Sequence, residues 1–147
     1  MEFVHARHQR ALDAYLQGVI GERELQRRVR YREEWGYPWS GPRELLRTAR
    51  DLGVPVIGLD LSPRGSAADL GRRDRIAAER LAVWAGTASP GTRLAVVIGE
   101  AHLHSGHLPR QLADRWPAAR AAARVLHDLE RLDGVGGEGW ARAEDRK

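Results

Sequence analysis

Leu94-Ala95-Val96-Val97-Ile98-Gly99-Glu100-Ala101-His102-Leu103-His104-Ser105-Gly106-His107-Leu108-Pro109 is the stretch whose reading decides the fold. Its apolar run, rich in β-branched residues, has the character of a buried strand and stops at a glycine. One carboxylate and three of the chain's six histidines follow, and Pro109 is then placed to open a helix. Strand, loop and helix in that order predict an α/β class: a small, mostly parallel sheet flanked by helices, with a helical N-terminal half. In such folds ligands gather outside the carboxyl ends of the strands, which is where this loop would lie.

Upstream, Val54-Pro55-Val56-Ile57-Gly58-Leu59 reads as a second strand. A helix from Pro42 to Leu52 precedes it, ended by Gly53 as a C′ glycine. Between the strands, Asp69 to Ala85 reads as a helix that carries Arg72-Arg73-Asp74-Arg75. Ile76, Ala77, Arg80, Leu81 and Trp84 trace its inner stripe. Met1 to Gly18 has the spacing of an amphipathic helix, with His5 and His8 as exposed positions on it. Glu22 to Trp35 is a second helix, acidic at its start and basic later, as the helix dipole favours. The aromatic loop Trp35-Gly36-Tyr37-Pro38-Trp39-Ser40-Gly41-Pro42 has two readings: a plug for one end of the core, or a platform for a flat ligand. Downstream, Leu108 to Trp116 is a short helix. Ala121 to Leu126 is expected as a third parallel strand, although Pro117 to Leu132 also has helical spacing. Residues 1–133 form one domain, and the glycine-rich, charged stretch from Gly134 to Lys147 is expected to be a disordered tail.

A chain of 147 residues is long enough to bury one core. The 24 basic residues against 20 acidic ones give only +4, with the charges interspersed, so no nucleic-acid partner is expected. The absence of cysteine excludes disulfides, thiolate metal sites and a cysteine nucleophile. Neither a secretory leader nor an apolar run of about 18 residues is found, so the expectation is a cytoplasmic protein without a membrane span.

Glu100, His102, His104 and His107 have the residue types and number of a zinc or iron centre. In an extended loop the two-residue alternation puts Glu100, His102 and His104 on one side. Alternatively, His102 is a general base oriented by Glu100, with His107 assisting. Asp60 and Arg64, in the loop after the first strand, are further candidates.

Several segments resemble the ChaN-like haem-binding family of the Tiki superfamily. They are Tyr31-Arg32-Glu33-Glu34-Trp35-Gly36-Tyr37-Pro38-Trp39, Arg43-Glu44-Leu45-Leu46 and Gly53 to Leu59. Arg73-Asp74-Arg75 followed by Ala77 resembles the family's RDR helix motif. Gly99-Glu100-Ala101-His102 with Gly106-His107-Leu108-Pro109 resembles its closing G-x-x-H loop. Glu2 resembles a glutamate that ends an early strand. The family pattern begins with a strand and a G-E-x-H motif ahead of that glutamate, so the resemblance implies a domain without those parts. It also implies haem, or an iron-containing ligand, in a strand-end pocket. Tyr31, Tyr37, His102 and His107 are side chains able to bind its iron, and Arg73, Arg75 or Arg64 could pair with its propionates. The superfamily also contains metal-dependent hydrolases, which makes a hydrolase built on Glu100, His102 and His107 the alternative. A third reading is an inactive fragment whose exposed sheet edge takes a partner chain, such as a second copy in a homodimer.

Overall fold

The computed structural model describes residues 1–61, 67–89, 91–104 and 106–117. Arg64, the strand expected at Ala121 to Leu126 and the tail from Gly134 lie outside the described residues. The helices are α1 (Gln9–Leu16), α2 (Glu22–Arg28), α3 (Tyr31–Glu34), α4 (Ser40–Asp51), α5 (Leu70–Thr87) and α6 (Leu108–Arg115). Short 3-10 turns at Ala6–His8, Ala67–Asp69 and Glu100–Leu103 introduce or link them.

Local chemistry explains most helix ends. Pro42 sits in the first turn of α4, where its missing N–H leaves no bond unmade. Gly53 closes α4 at φ +64°, its N–H donating to Arg50 O (3.1 Å) and that of Val54 to Ala49 O (2.8 Å), a Schellman pair. Gly18 ends α1 the same way, with bonds to Tyr15 O (3.0 Å) and, from Val19, to Ala14 O (2.8 Å). The single helix expected from Glu22 to Trp35 is broken instead. Arg30 adopts left-handed backbone at φ 52°, ψ 44° and separates α2 from α3. The expected helix from Met1 to Gly18 is also corrected: residues 2–4 form a turn and a bend, His5 is extended, and α1 begins only at Gln9.

The apolar residues form two clusters. The first joins Met1, Val4, Leu12, Tyr15, Leu25, Val29, Tyr31, Trp35 and Leu46, with Trp39 and Val56 packed against it. The second joins Leu59, Ala77, Ala78, Leu81 and Leu108, with Ile57, Leu94, Val96, Ile98 and Leu112 against it. The extended run 54–60 is a wall between them. Val56 serves the first cluster, and Ile57 and Leu59 the second. Run 94–98 turns Leu94, Val96 and Ile98 inward and leaves Val97 41% exposed. This is the period-two alternation of strands.

No sheet follows from it. The described residues are 61% helix and 2% strand, with no sheet among them, which overturns the α/β class with its parallel sheet. Among the described residues the strand-like pairing is one isolated parallel bridge, His5 to Asp60. Residues 1–5 lie between the two runs, with bonds from Leu59 N to Met1 O (3.0 Å), Ala6 N to Asp60 O (2.8 Å) and Glu2 N to Val97 O (3.0 Å). They turn into a 3-10 helix before a ladder can extend. Side chains then take the place of strand neighbours. The Gln9 amide donates to Val56 O (2.8 Å) and accepts from Gly58 N (2.9 Å), and Arg80 Nε donates to Gly58 O (3.0 Å). Gly58 permits the close approach: a Cβ there would lie 2.7 Å from Val4 O. Among the described residues no helix is long and apolar enough to cross a membrane.

If the Gln9 amide substitutes for a strand partner, Gln9→Ala leaves Val56 O and Gly58 N without their bonds. The expected loss is about 2 kcal/mol of unfolding free energy in urea denaturation. An unchanged midpoint and slope would show that water replaces the amide at no cost.

Candidate functional site

Arg73 and Asp74 are consecutive on α5 and about 100° apart around its axis, so one turn of helix addresses two directions. Both are buried. Arg73 faces the ends of the N-terminal segment and of run 54–60. Its Nε donates to Asp60 Oδ1 (2.7 Å), and one terminal nitrogen donates to Asp60 Oδ2 (2.7 Å) and Glu2 Oε1 (2.8 Å). The forked geometry matches a carboxylate in two bonds. Asp74, fully buried, faces the loop after Gly99. Its Oδ1 pairs with His102 Nδ1 (2.5 Å) and its Oδ2 with His107 Nδ1 (2.7 Å).

Glu2 joins the halves. Its Oε1 also meets His102 Nε2 (3.3 Å), and its Oε2 accepts from the Gly99 backbone N–H (2.6 Å). The backbone approaches this closely because residue 99 is glycine: a Cβ there would lie 3.1 Å from that oxygen. Glu2, Leu59, Asp60, Arg73, Ala77, Ile98 and His102 line a cleft of about 10 Å³, room for about one water molecule.

His102 has a carboxylate at each ring nitrogen, an arrangement satisfied by the doubly protonated ring, which donates at both. Burial alone would lower its pKa, but hydrogen bonds to Glu2 and Asp74 outweigh burial and raise it. Burial pushes the Glu2 carboxyl up, yet bonds from His102 and the Gly99 N–H, with the charges of His102 and Arg73, bring it down to about 2.

The residues singled out in the sequence are divided by the structure. His102 and His107 meet on Asp74, whereas His104 and Glu100 are exposed. The expected metal centre is corrected: among the described residues no group of three or more His, Asp or Glu side chains is placed to hold a metal ion. The reason is geometric, since the Nδ1 atoms of both His102 and His107 are turned onto one carboxylate. Arg73 is buried in its ion pairs and Arg75 is exposed on α5. Tyr37 is 64% exposed, while Trp35 and Trp39 pack into the first cluster and Tyr31 meets Trp39 edge-on at 4.7 Å.

Asp74 is the residue that pattern reading passed over as a binding group. Its signal is its place on the buried stripe of α5: positions 74, 77, 78 and 81 recur at helical spacing, and a carboxylate on an apolar stripe needs buried partners.

The raised pKa of His102 means its contribution to stability is complete below about pH 6.5, its unfolded value, and is lost as pH rises through the folded value. Glu2 behaves oppositely: its contribution is complete above about pH 4.5 and is lost as pH falls through about 2. The difference in unfolding free energy between wild type and His102→Gln should therefore be largest between those limits, about 3 kcal/mol for a broken buried pair. It should shrink as pH is raised. A difference constant through alkaline pH would mean that His102 carries no proton-linked energy.

The family model described as haem-binding uptake, Tiki superfamily, ChaN matches residues 1–72. Glu2 and Asp60 lie in the matched part; Arg73, Asp74, His102 and His107 lie beyond it. No curated protein and no solved structure matches the chain. Over residues 1–72 the sequence is thus similar to the ChaN family of the Tiki superfamily, which supports the resemblance read there from Glu2 and from the motifs between Tyr31 and Leu59; the Arg73-Asp74-Arg75 and Gly99 to Pro109 motifs lie beyond the match.

Proposed function

We propose that the chain binds haem, or a similar iron-containing ligand, beside the loop that follows Gly99, with His107 as the iron-facing residue. One observation carries this reading: Asp74 holds two imidazoles, and only one of them has a ring nitrogen to spare. His102 is buried, with both nitrogens on carboxylates. The His107 side chain is 32% exposed and, among the described residues, commits Nδ1 alone, which leaves Nε2 for a ligand. An imidazole whose other nitrogen bonds a carboxylate is a more basic metal ligand, and histidine is a common axial ligand of haem iron.

The cleft beside Glu2 and His102 is too small for a porphyrin, so the ligand belongs on the outer side of the loop. That side lies near the carboxyl ends of both extended runs, and it carries exposed His104, whose ring centroid is 6.3 Å from that of His107. Arg75, exposed on α5, is the guanidinium suited to a propionate, since Arg73 is engaged by Asp60 and Glu2. Bound haem would supply an iron centre with an exchangeable axial position.

A hydrolase is the second reading, favoured by the Glu2–His102 contact on a water-sized cleft. There the Glu2 carboxylate, held by His102, would accept the proton of a bound water.

A haemin titration followed by Soret absorbance tests the first reading. A saturable shift is expected, weakened about tenfold or more in His107→Ala and unchanged in Tyr37→Phe. No saturation by a protein that melts cooperatively would overturn it. Weakening in Tyr37→Phe alone would move the ligand to the aromatic loop. Ester or amide turnover lost in Glu2→Gln, without haemin uptake, would favour the hydrolase.

A further inference from the structure

His5 is 1% exposed, and among the described residues neither of its ring nitrogens has a hydrogen-bond partner. Its ring stacks on His8 (centroids 6.1 Å apart) and tilts against Trp35 (5.3 Å). The sequence reading had it exposed on a helix. In fact it sits at the end of the non-helical N-terminal segment, where its backbone bridges to Asp60. A buried polar group without a partner calls for a physical account.

The groups around the ring supply one. Asp60, on run 54–60, has its carboxylate taken by both bonds from Arg73 and by the Leu61 N–H (2.8 Å). Glu34, on α3, is paired with Arg7 (3.2 Å). Arg7 and His8 belong to the 3-10 turn, and Arg7 Nε donates to His8 Nε2 (3.1 Å), which suits a neutral His8. Arg73, on α5, adds a second nearby positive charge. A protonated His5 would thus be a buried cation whose nearest carboxylates are already paired. The neutral ring leaves one donor and one acceptor unmade, and the charged ring costs considerably more.

The same segment carries Glu2, the carboxylate that joins Arg73, His102 and the Gly99 N–H. Moving His5 out to water strains the Ala6 N to Asp60 O bond first and the Glu2 contacts next. We infer that His5 is an acid-sensitive latch: its protonation releases the N-terminal segment from Asp60 and withdraws Glu2 from the carboxylate–imidazole site. Burial, with Arg7 and Arg73, lowers the His5 pKa against the pull of Asp60 and Glu34. The closed segment therefore resists the proton that the open one accepts. The closed state loses about tenfold in relative population per pH unit below about 6.5, until the closed-state pKa is reached. Glu2 keeps its charge through this range, and acid only adds the proton with which His102 holds Glu2, so neither titration mimics the effect. The buried Met1 amino group, lowered to about 5, adds an acid sensitivity that is common to wild type and His5 variants, so the comparison between them isolates the His5 ring. The latch stands independently of the ligand the loop takes.

Amide hydrogen exchange on the full chain tests it. Protection factors of Glu2, Ala6 and Gly99 are compared at about pH 7 and about pH 5.5, with Leu81 in the buried interior of α5 as the reference for global opening. The expected result in wild type is a fall of about tenfold or more at those amides relative to Leu81. His5→Phe should diminish the fall about tenfold, and His8→Gln should keep it. No fall in wild type, an equal fall in His5→Phe, or loss of the fall in His8→Gln overturns the latch. Should His5→Phe not fold, the wild-type His5 ring is titrated by NMR. A midpoint below the ordinary histidine value, tracking the loss of protection, supports the latch. A midpoint at or above that value, or one unlinked to protection, overturns it.

Discussion

The Glu2 carboxylate is held from three directions, by Arg73 on α5, by the His102 ring and by the Gly99 backbone N–H. Its partners lie 71, 100 and 97 residues away in sequence. Closing so long a loop costs chain entropy, but that cost rises only logarithmically with length, so a few charge-assisted bonds in a buried place can offset it. The other buried charges depend on this arrangement. Without Glu2, among the described residues Arg73 retains Asp60 and His102 retains Asp74. The second apolar cluster, built on α5 and α6 with both extended runs, carries these polar groups at its edge.

The extended runs explain how a mostly helical chain brings such distant groups together. Runs 54–60 and 94–98 keep the alternation of strands, yet side chains and the N-terminal segment satisfy their backbones in place of a ladder. Gln9, Arg80 and Glu2 each reach a main-chain group that a neighbouring strand would otherwise engage. Each substitution draws a helix or the N-terminal segment against the runs. The ends of both runs, Asp60 and Gly99, consequently meet α5 at the turn that presents Arg73 and Asp74. The site is a product of this side-chain pairing.

Features governed by local chemistry were legible in the sequence. Gly53 ends α4, Pro109 lies in the first turn of α6, and the loop from Gly99 to His107 does carry histidines of the site. The ChaN-like motifs contained Glu2 and the Arg73–Asp74 pair, but as motif positions they gave Glu2 and Asp74 no binding role. Features governed by long-range pairing were not legible. Apolar alternation predicts an extended backbone with sided burial, and it says nothing about what occupies the neighbouring position. The predicted sheet failed on that distinction. The helical spacing of Phe3, Val4, Ala11 and Leu12 was equally ambiguous, because Phe3 and Val4 reach the same cluster from a turn and bend ahead of the helix. His102, His104 and His107 look equivalent as a motif. They are separated by the direction of a carboxylate on α5, which is a tertiary fact.

The two buried histidines near the N-terminal segment make opposite demands on the proton. Glu2, Asp60 and Asp74 bring three carboxylates to a place where Arg73 is the buried guanidinium, so a positive ring at His102 is part of the charge balance. His5 has two ring nitrogens without acceptors and two arginines nearby, so it stays neutral. Both rings bear on the same few residues: His102 holds Glu2 from the loop, and His5 holds the segment that presents Glu2. The closed arrangement is therefore strained by alkali on one side and by acid on the other. The chain resolves this by surrounding one imidazole with carboxylates and the other with aromatic rings and already paired ions. Similar side chains in neighbouring parts of the fold are thus assigned opposite charge states by what is packed against them.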